Sequence, residues 1–423
     1  MFRFCRSLPT AITVHRTEPK ALASGFGGKK IPEPRPTASA VGSHLSWPRD
    51  IGLLILTILV AIGPTQQCDA QDKSSPAKRD LLTSADWRRL DRSVDNGLKF
   101  LAAQQAADGS FRTLPTGQPA ITGLAVLAFL SRGHLPDQGP YGERMTRAID
   151  FVLSMQRADG LMCNLPVESS YVQTGVSHTG MYSHGIAGLM LGEVYGMTNE
   201  KQQARIRPAL RKAIAFSRVW QTKRKRQAVD KGGWRYLVPY SSNDSDLSVT
   251  AWQLMFLRSA RNAEFDVPKQ FIDDATNYVR SCFDERAGTF VYADSERRPS
   301  GGIVGGGIVA LALSGEYQSE RVKSAGNWLL QNRGRGYNAR GNHSSDRYHY
   351  AIYYSSQAMF QLGGEYWETY FPELLVTLLR NQRNDGGWDP EAIRDGVYGR
   401  AYTTSLAILA LTPQYQILPI YQR

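Results

Sequence analysis

The side chains of this chain that could move protons lie beside segments that are almost entirely apolar. Asp244 and Asp246 stand two residues apart in the stretch SNDSD, directly before an apolar run. His184 lies early in another apolar segment and is the side-chain type that titrates near neutrality, so it could act as a general base or a proton donor. Each has a structural alternative. Acids before a helix are suited to cap its N-terminus, and His184 could be a hydrogen-bonded residue at the start of a buried helix.

The segments that carry these side chains are apolar nearly all round and rich in small residues. A helix that is apolar on every side is buried, and small residues let neighbouring helices approach closely. The stretch GGIVGGG at residues 301–307 fits this role, because it lacks the Lys-Ser/Thr ending and the preceding strand of a phosphate-binding loop. Six such segments alternate with amphipathic ones: residues 120–131, 182–196, 246–260, 301–315, 350–364 and 401–412.

The amphipathic segments end in a turn that recurs six times, in units of about 50 to 60 residues. A glutamine comes first, then Asp-Gly or a related pair, then a bulky side chain. We expect the glycine to stop the helix in the left-handed conformation at C′, the Gln amide to bond exposed backbone, and the bulky residue to pack between units. The Gln positions are Gln105, Gln156, Gln221, Cys282, Gln331 and Gln382, and the bulky residues are Phe111, Met162, Trp234, Phe290, Tyr337 and Trp388. This pattern indicates a structural device rather than a catalytic one.

Six buried and six half-exposed helices in alternation predict an all-α fold over residues 85–423. The expected architecture is a single (α/α)6 toroid with the apolar helices inside. The inner helices then run parallel, and their N-termini bring partial positive charge to one end of a central cavity. The side chains expected there are Thr122, Tyr182, His184, Asp244, Asp246, Trp252, Tyr353, Tyr354, Tyr402 and Thr403.

Repeats of Gln, Asp-Gly and an aromatic residue, alternating with small-residue apolar helices, resemble the superfamily of squalene-hopene cyclases and protein prenyltransferases. The resemblance covers about residues 80–423. It implies an (α/α)6 toroid and a polyisoprenoid or similar apolar ligand in the cavity. It also implies an acid, because class II cyclases of this kind protonate an alkene with the middle residue of an Asp-x-Asp-Asp motif. Here the matching residues are Asp244, Ser245, Asp246 and Leu247, so Asp246 takes the place of the acid and Leu247 that of the third carboxylate.

No metal and no cofactor is expected. The zinc site of the prenyltransferases needs an Asp, a Cys and a His together. Cys282 falls in an outer-helix turn, His349 stands apart from it in the sequence, and no Asp-x-Cys pair lies near an inner helix. The chain also lacks CxxC pairs, which excludes a common structural zinc pattern.

The N-terminal part differs from the rest in composition. Residues 1–50 are rich in Pro, Gly, Ser and Arg and are expected to be a disordered leader. The apolar stretch at residues 51–63 is shorter than the roughly 20 residues that span a bilayer. Residues 51–70 therefore predict a signal-peptide core or an N-terminal anchor, followed by a linker at residues 71–84. We expect export to the periplasm or cell envelope, with possible association with a membrane surface.

Charge and composition leave three functional hypotheses. The net charge is +12, and the basic run TKRKR at residues 222–226 is interpreted as a solvated loop rather than a nucleic-acid site. The first hypothesis is a cyclase-like protein that binds a polyisoprenoid. The second is an exported lyase or hydrolase of an acidic polysaccharide, with Arg235 or Arg400 as base and often calcium. The third is a non-catalytic scaffold. The sequence predicts no particular oligomeric state.

Overall fold

The structure is a computed structural model that describes residues 81–164, 176–238, 242–333, 337, 347–390 and 395–422. The predictions of a leader at residues 1–50 and of a signal or anchor at residues 51–70 lie outside the described residues, as does most of the linker at residues 71–84. Within the described ranges, no helix is both long enough and apolar enough to cross a membrane.

Twelve α-helices succeed one another along the described chain, with one short hairpin between the seventh and the eighth. The helices are α1 (Ser84–Gln104), α2 (Ala120–Ser131), α3 (Gly142–Ser154), α4 (Val176–Val194), α5 (Glu200–Thr222), α6 (Leu247–Asn262), α7 (Lys269–Ser281), α8 (Gly301–Leu313), α9 (Glu320–Gln331), α10 (Tyr348–Leu362), α11 (Gly364–Asn381) and α12 (Gly399–Leu411). The hairpin pairs β1 (Phe283–Asp284) with β2 (Thr289–Phe290) in antiparallel register.

The even-numbered helices form an inner ring, and the odd-numbered helices surround it. Each inner helix packs against the next, and α12 packs against α2, which closes the ring. Every residue of α2 is buried, whereas α3 buries one face only. This difference follows from the sequence, because a helix inside the ring meets protein on all sides. The predicted all-α toroid of six helix pairs is confirmed.

Glycines let two inner helices approach each other closely. A Cβ atom placed on Gly305 of α8 would lie 2.7 Å from the amide nitrogen of Ser355 in α10. No side chain fits in that space, so any other residue would force the two helices apart. The glycine-rich start of α8 therefore serves helix packing, as the sequence indicated.

Four of the glutamines at the ends of the outer helices join one outer helix to the next: Gln105, Gln156, Gln221 and Gln382. Gln105 Nε2 donates to the carbonyl oxygens of Gly109 and of Arg144 in α3, at 3.0 and 2.8 Å. Gln382 does the same at the end of α11, where Nε2 donates to Ser93 O of α1 at 2.8 Å. The last outer helix is thereby tied to the first, and the outer ring is closed as well.

The glycine of this turn does not have the position predicted for it. Helix α1 has Gln105 as its C-cap, and Gly109 follows only after a tight turn in which its amide donates to Ala106 O at 3.0 Å. The φ angle of Gly109 is 90°, which favours glycine. The prediction of a left-handed glycine is thus confirmed, but its placement at C′ is wrong. The glutamine side chain, rather than the glycine, satisfies the backbone at this corner.

The C-terminal segment closes one end of the inner ring. Tyr421 Oη lies 2.6 Å from Tyr353 Oη of α10, and Gln361 Nε2 donates to Tyr421 O at 2.8 Å. The amide of Ile420 donates to Glu193 Oε2 near the end of α4 at 3.2 Å. Leu418, Ile420 and Tyr421 are buried. We call residues 418–422 the C-terminal strap.

Candidate functional site

A cavity of about 650 Å³ opens at the N-terminal ends of the inner helices. Each of the six contributes a residue from its N-terminal half: Ala120, Tyr182, Ser248, Ile303, Tyr350 and Tyr402. The loops before α6 and α8 add Arg235, Tyr236, Tyr292, Glu296 and Arg298. The cavity is therefore a product of the ring geometry, because six parallel helices place equivalent positions around one axis. Its volume falls within the range of about 300 to 1,000 Å³ that is usual for small-molecule sites.

Trp252 forms the floor of this cavity. It lies about one helical turn below Ser248 on α6, and its ring stacks on that of Tyr353 with centroids 5.4 Å apart and planes at 6°. Leu124, Ile186 and Leu406 also line the cavity one turn below its mouth. The lower part of the cavity is therefore apolar and aromatic.

Tyr353 and Tyr354 do not line the cavity, contrary to expectation. Their exposed fractions are 1% and 0%, and they lie beneath Trp252, in contact with it. The cavity residue of α10 is instead Tyr350, which lies three residues nearer the N-terminus and thus about one turn higher. Of the aromatic residues predicted to line the cavity, Tyr182, Trp252 and Tyr402 do so.

Asp246 caps helix α6 and is fully buried. Its Oδ1 accepts a hydrogen bond from the amide of Val249 at 2.8 Å, and its Oδ2 lies 3.9 Å from Arg235 Nε. Burial raises the pKa of Asp246 to about 6, although Arg235, the Val249 amide and the Tyr292 hydroxyl each favour the charged form. Asp246 is not among the cavity-lining residues, whereas Arg235 and Tyr292 are. The carboxyl therefore lies behind the wall as a helix cap with a cationic neighbour.

Asp244 points to a different neighbour. Arg226 binds it through two nitrogens, with Nη2 to Oδ1 at 2.6 Å and Nε to Oδ2 at 3.1 Å. These hydrogen bonds lower the pKa of Asp244. The residue does not line the cavity. The two carboxylates of the sequence motif thus have different structural roles. Asp244 holds the basic loop at residues 222–226 through Arg226, and Asp246 caps helix α6.

His184 faces the outer ring rather than the cavity. Its Nδ1 accepts from the amide of Met162 at 3.2 Å, which places the proton on Nε2, where Ala213 O and Ser217 Oγ lie at 3.2 and 3.0 Å. Burial lowers the pKa of His184 to about 3. A neutral imidazole with both nitrogens engaged is the structural alternative that the sequence left open.

The repeats explain why a histidine stands at this position. In three of the other five turns, a threonine hydroxyl accepts from the amide of the bulky residue: Thr122 for Phe111, Thr250 for Trp234 and Thr404 for Trp388. His184 accepts from Met162 in the same way. Aligning the inner helices by this position would have identified His184 as a turn residue from the sequence. It would also have explained Thr122, which shares that role.

The sequence reasoning missed several cavity residues, among them three tyrosines and a serine. Tyr236 and Tyr292 lie in the loops before α6 and α8, with their hydroxyl oxygens 2.7 Å apart. Ser248 and Tyr350 lie in the first turns of α6 and α10. Ser248 and Tyr350 could have been predicted, because residues in the first turns of the inner helices are the ones expected at the mouth of the cavity. The loop tyrosines follow no helical period, so nothing in the pattern identifies them.

The two arginines considered as lyase bases have different positions. Arg235 lines the cavity, where burial opposes its charge, but Asp246, Tyr292 and Tyr236 together keep its pKa above the ordinary value. A base must be deprotonated, and this environment favours the opposite state. Arg400 does not line the cavity and is paired with Asp385 at 2.7 Å and Asp389 at 3.0 Å.

No cluster of three or more His, Cys, Asp or Glu residues suited to a metal ion occurs among the residues described. Cys282 is buried in its turn, and burial raises the pKa of its thiol to about 12. His349 is buried between the rings of Tyr337 and Tyr348. Among the described residues, Cys282 and His349 therefore have separate surroundings.

Comparison with known structures identifies the fold. The type II terpene cyclase MstE from Scytonema, in complex with geranylgeranyl dihydroxybenzoate (substrate), is 13% identical over 80% of this chain and 100% of its own, with a TM-score of 0.52. A second MstE structure, in complex with merosterolic acid A (product), is 16% identical over the same shares, with a TM-score of 0.51. A D-mannose isomerase is 12% identical over 80% of this chain and 99% of its own, with a TM-score of 0.53.

No protein-family model matches the chain, and no curated protein matches it. At sequence identities this low, the similarity to these structures establishes the fold and not the function. This chain has the (α/α) toroid fold of the terpenoid cyclases, as its sequence repeats indicated, and a D-mannose isomerase shares that fold. A fold of this kind supports several chemistries, so function has to be argued from the cavity.

Proposed function

We propose that this protein binds a polyisoprenoid, or a similar apolar small molecule, in the cavity at the N-terminal end of its inner ring. The observation that carries the proposal is the cavity itself, which has an apolar lower part built from Trp252, Leu124, Ile186 and Leu406. Burial of an apolar chain there is favourable by about 25 cal/mol for each Å² removed from water. A hydrocarbon chain finds mainly aliphatic and aromatic carbon on this surface.

The shared fold supports the same ligand class. The MstE structures are complexes with a geranylgeranyl compound and a merosterolic acid. Both ligands combine a large apolar part with polar groups. The cavity of this chain has the same mixed character, with tyrosine hydroxyls at its mouth and aliphatic side chains below.

Alkene protonation by Asp246 is not part of the proposal. An acid that protonates an alkene must itself be protonated and must reach the ligand. Asp246 is 0% exposed, it engages the start of α6, and Arg235 favours its carboxylate form. The position of the third motif carboxylate is taken by Leu247, which is buried. The proposed activity is binding.

Titration of the purified protein with geranylgeraniol and squalene tests the proposal, with oligogalacturonate and a sulfated glycan as the comparison arm. Ile303→Trp, which places an indole in the cavity, is expected to lower the affinity for the isoprenoid at least tenfold. Val376→Trp is the matched control, because Val376 is 49% exposed on α11. Thermal unfolding of both variants establishes that they fold.

The proposal fails if wild-type protein binds neither isoprenoid, or if Ile303→Trp binds as tightly as the control. Binding of the glycans in place of the isoprenoids would favour the lyase or hydrolase hypothesis. Mass spectrometry of small molecules that co-purify with the protein would identify a native ligand directly.

A further inference from the structure

One wall of the cavity carries a row of hydroxyl groups from three inner helices. Tyr182 of α4 donates to Ser248 Oγ of α6 at 2.9 Å, and Ser248 Oγ lies 2.6 Å from Tyr350 Oη of α10. All three residues line the cavity. We call these three residues the hydroxyl row.

The row crosses a helix that would ordinarily separate its members. Helix α8 lies between α6 and α10 in the inner ring, yet Ser248 and Tyr350 meet. They meet because α8 begins with glycine. A Cβ atom on Gly302 would lie 2.5 Å from Cδ1 of Tyr350, so a larger residue there would displace the tyrosine ring. The small residue at this position thus permits a contact across the neighbouring helix.

The opposite side of the inner ring is mainly apolar, with Tyr402 of α12 beside aliphatic side chains. There α2 and α12 pack against each other, and their cavity side chains include Ile121, Leu124 and Leu406. The cavity therefore has a polar wall and an apolar wall. A plain hydrocarbon would cover the hydroxyl row without replacing the water that solvates it, which costs free energy for each polar group left unpaired.

The direction of the hydrogen bonds determines which ligand group fits. A tyrosine hydroxyl has one hydrogen to donate and lone pairs to accept. Tyr182 uses its hydrogen on Ser248, and the described residues place no donor on Tyr182 Oη. Burial raises the pKa of Tyr182 well above its ordinary value, so the residue stays protonated. Tyr182 Oη is consequently an acceptor at the cavity wall, and its complement is an O–H or N–H donor.

We infer that the ligand is an apolar alcohol whose hydroxyl group donates to Tyr182 Oη while its chain lies against the α2 and α12 wall. The inference rests on the proposed function and narrows its ligand class from isoprenoids in general to those with a hydrogen-bond donor. Tyr182, Ser248 and Tyr350 are positioning residues for that hydroxyl.

The test compares geranylgeraniol with its methyl ether, which keeps the chain and the oxygen but lacks the donor hydrogen. Wild-type protein is expected to bind the alcohol about 3- to 10-fold more tightly than the ether, the effect of one hydrogen bond. Tyr182→Phe is expected to remove this preference by weakening alcohol binding, with ether binding unchanged. Gly302→Ala, which displaces Tyr350, is expected to reduce the preference as well.

Tyr366→Phe is the matched control, because Tyr366 lies on the outer helix α11, donates to Lys323 O at 3.4 Å and is not among the cavity-lining residues. It should leave the preference intact. Equal binding of alcohol and ether by wild-type protein would overturn the inference and leave the proposed function standing. A preference that survives Tyr182→Phe would also overturn it. Failure of the wild type to bind either compound would remove the proposed function together with the inference.

Discussion

The indole of Trp252 lies parallel to the phenol ring of Tyr353, with the two ring planes 6° apart. Trp252 is the floor of the cavity, and Tyr353 hydrogen-bonds to Tyr421 at 2.6 Å. The floor is therefore supported by the C-terminal strap. The packing of Trp252 at the cavity therefore depends, through Tyr353, on the position of Tyr421 in the C-terminal strap.

Replacement of Tyr421 tests this support. Tyr421→Ala removes a buried aromatic ring and is expected to cost about 3 to 5 kcal/mol of unfolding free energy. Tyr421→Phe removes only the hydroxyl and is expected to cost about 1 kcal/mol. Chemical denaturation measures both, with Val376→Ala as the exposed control. A loss below 1 kcal/mol for Tyr421→Ala would mean that the strap does not support the floor.

Replacement of Gln382 tests whether its hydrogen bonds to α1 stabilise the closed outer ring. Its side chain donates to Ser93 O and Gly386 O and accepts from Ser93 Oγ at 2.9 Å. Gln382→Ala leaves partly buried groups without these partners, and we expect a loss of about 2 kcal/mol in the free energy of unfolding. Lys99→Ala, at an exposed position of α1, should change it little. Equal stabilities of the two variants would contradict the role of Gln382.

Two variants of Asp246 distinguish a role in helix capping from a role as a catalytic acid. Asp246→Asn keeps an oxygen that can accept from the Val249 amide, whereas Asp246→Ala removes the cap. We expect the alanine variant to be less stable than the asparagine variant by about 1 kcal/mol, as measured by chemical denaturation. Both should retain affinity for geranylgeraniol. If wild-type protein turned over a polyprene and Asp246→Asn abolished that turnover, the acid role would be restored.

Glu193 gives the stability a defined pH dependence. Burial raises the pKa of Glu193 from 4.5 to about 7. A folded-state pKa above the unfolded one means that the folded protein binds the proton more tightly, so this stabilisation is present below pH 4.5 and is lost as the pH rises to about 7. The free energy of unfolding that the protonated Glu193 contributes at low pH, relative to the ionised residue, is about 3 kcal/mol.

The measurement for Glu193 is the difference in unfolding free energy between wild-type protein and Glu193→Gln from pH 4.5 to 8. Gln cannot titrate, so the wild type should lose stability relative to the variant over this interval. His184 contributes with the opposite sign, because its lowered pKa destabilises the fold as the pH falls below 6.5. That contribution is common to both proteins and cancels. A difference independent of pH would refute the assignment.

The fold was predictable because it depends on a periodic property. Helices of the inner ring meet protein on every side and must be apolar all round, as in α2, while outer helices such as α3 need one apolar face. That contrast repeats six times and can be counted from the sequence. The turn glutamines were predictable for the same reason, since Gln105 and Gln382 make equivalent hydrogen bonds.

The site was predictable only in part. Tyr182, Trp252 and Tyr402 were expected along the cavity and lie there. Tyr353 was not distinguishable from Tyr350, because a difference of one helical turn determines which of them reaches the cavity. In a helix that is buried all round, hydrophobicity does not identify the face that meets the central axis. His184 differs in this respect, because its position matches Thr122, Thr250 and Thr404 in the other inner helices, and that alignment indicates a turn residue.

Ser93 and Gln382, which join the first and last outer helices, are separated by 289 positions in the sequence. During synthesis the first hairpin leaves the ribosome long before its final neighbour exists, so both flanks of the growing structure stay uncovered until the last helix pair emerges. Contacts between such distant positions also form slowly. A chain that stops before α11 would therefore expose two unpaired helical flanks, and we expect it to aggregate rather than to persist as a smaller ring.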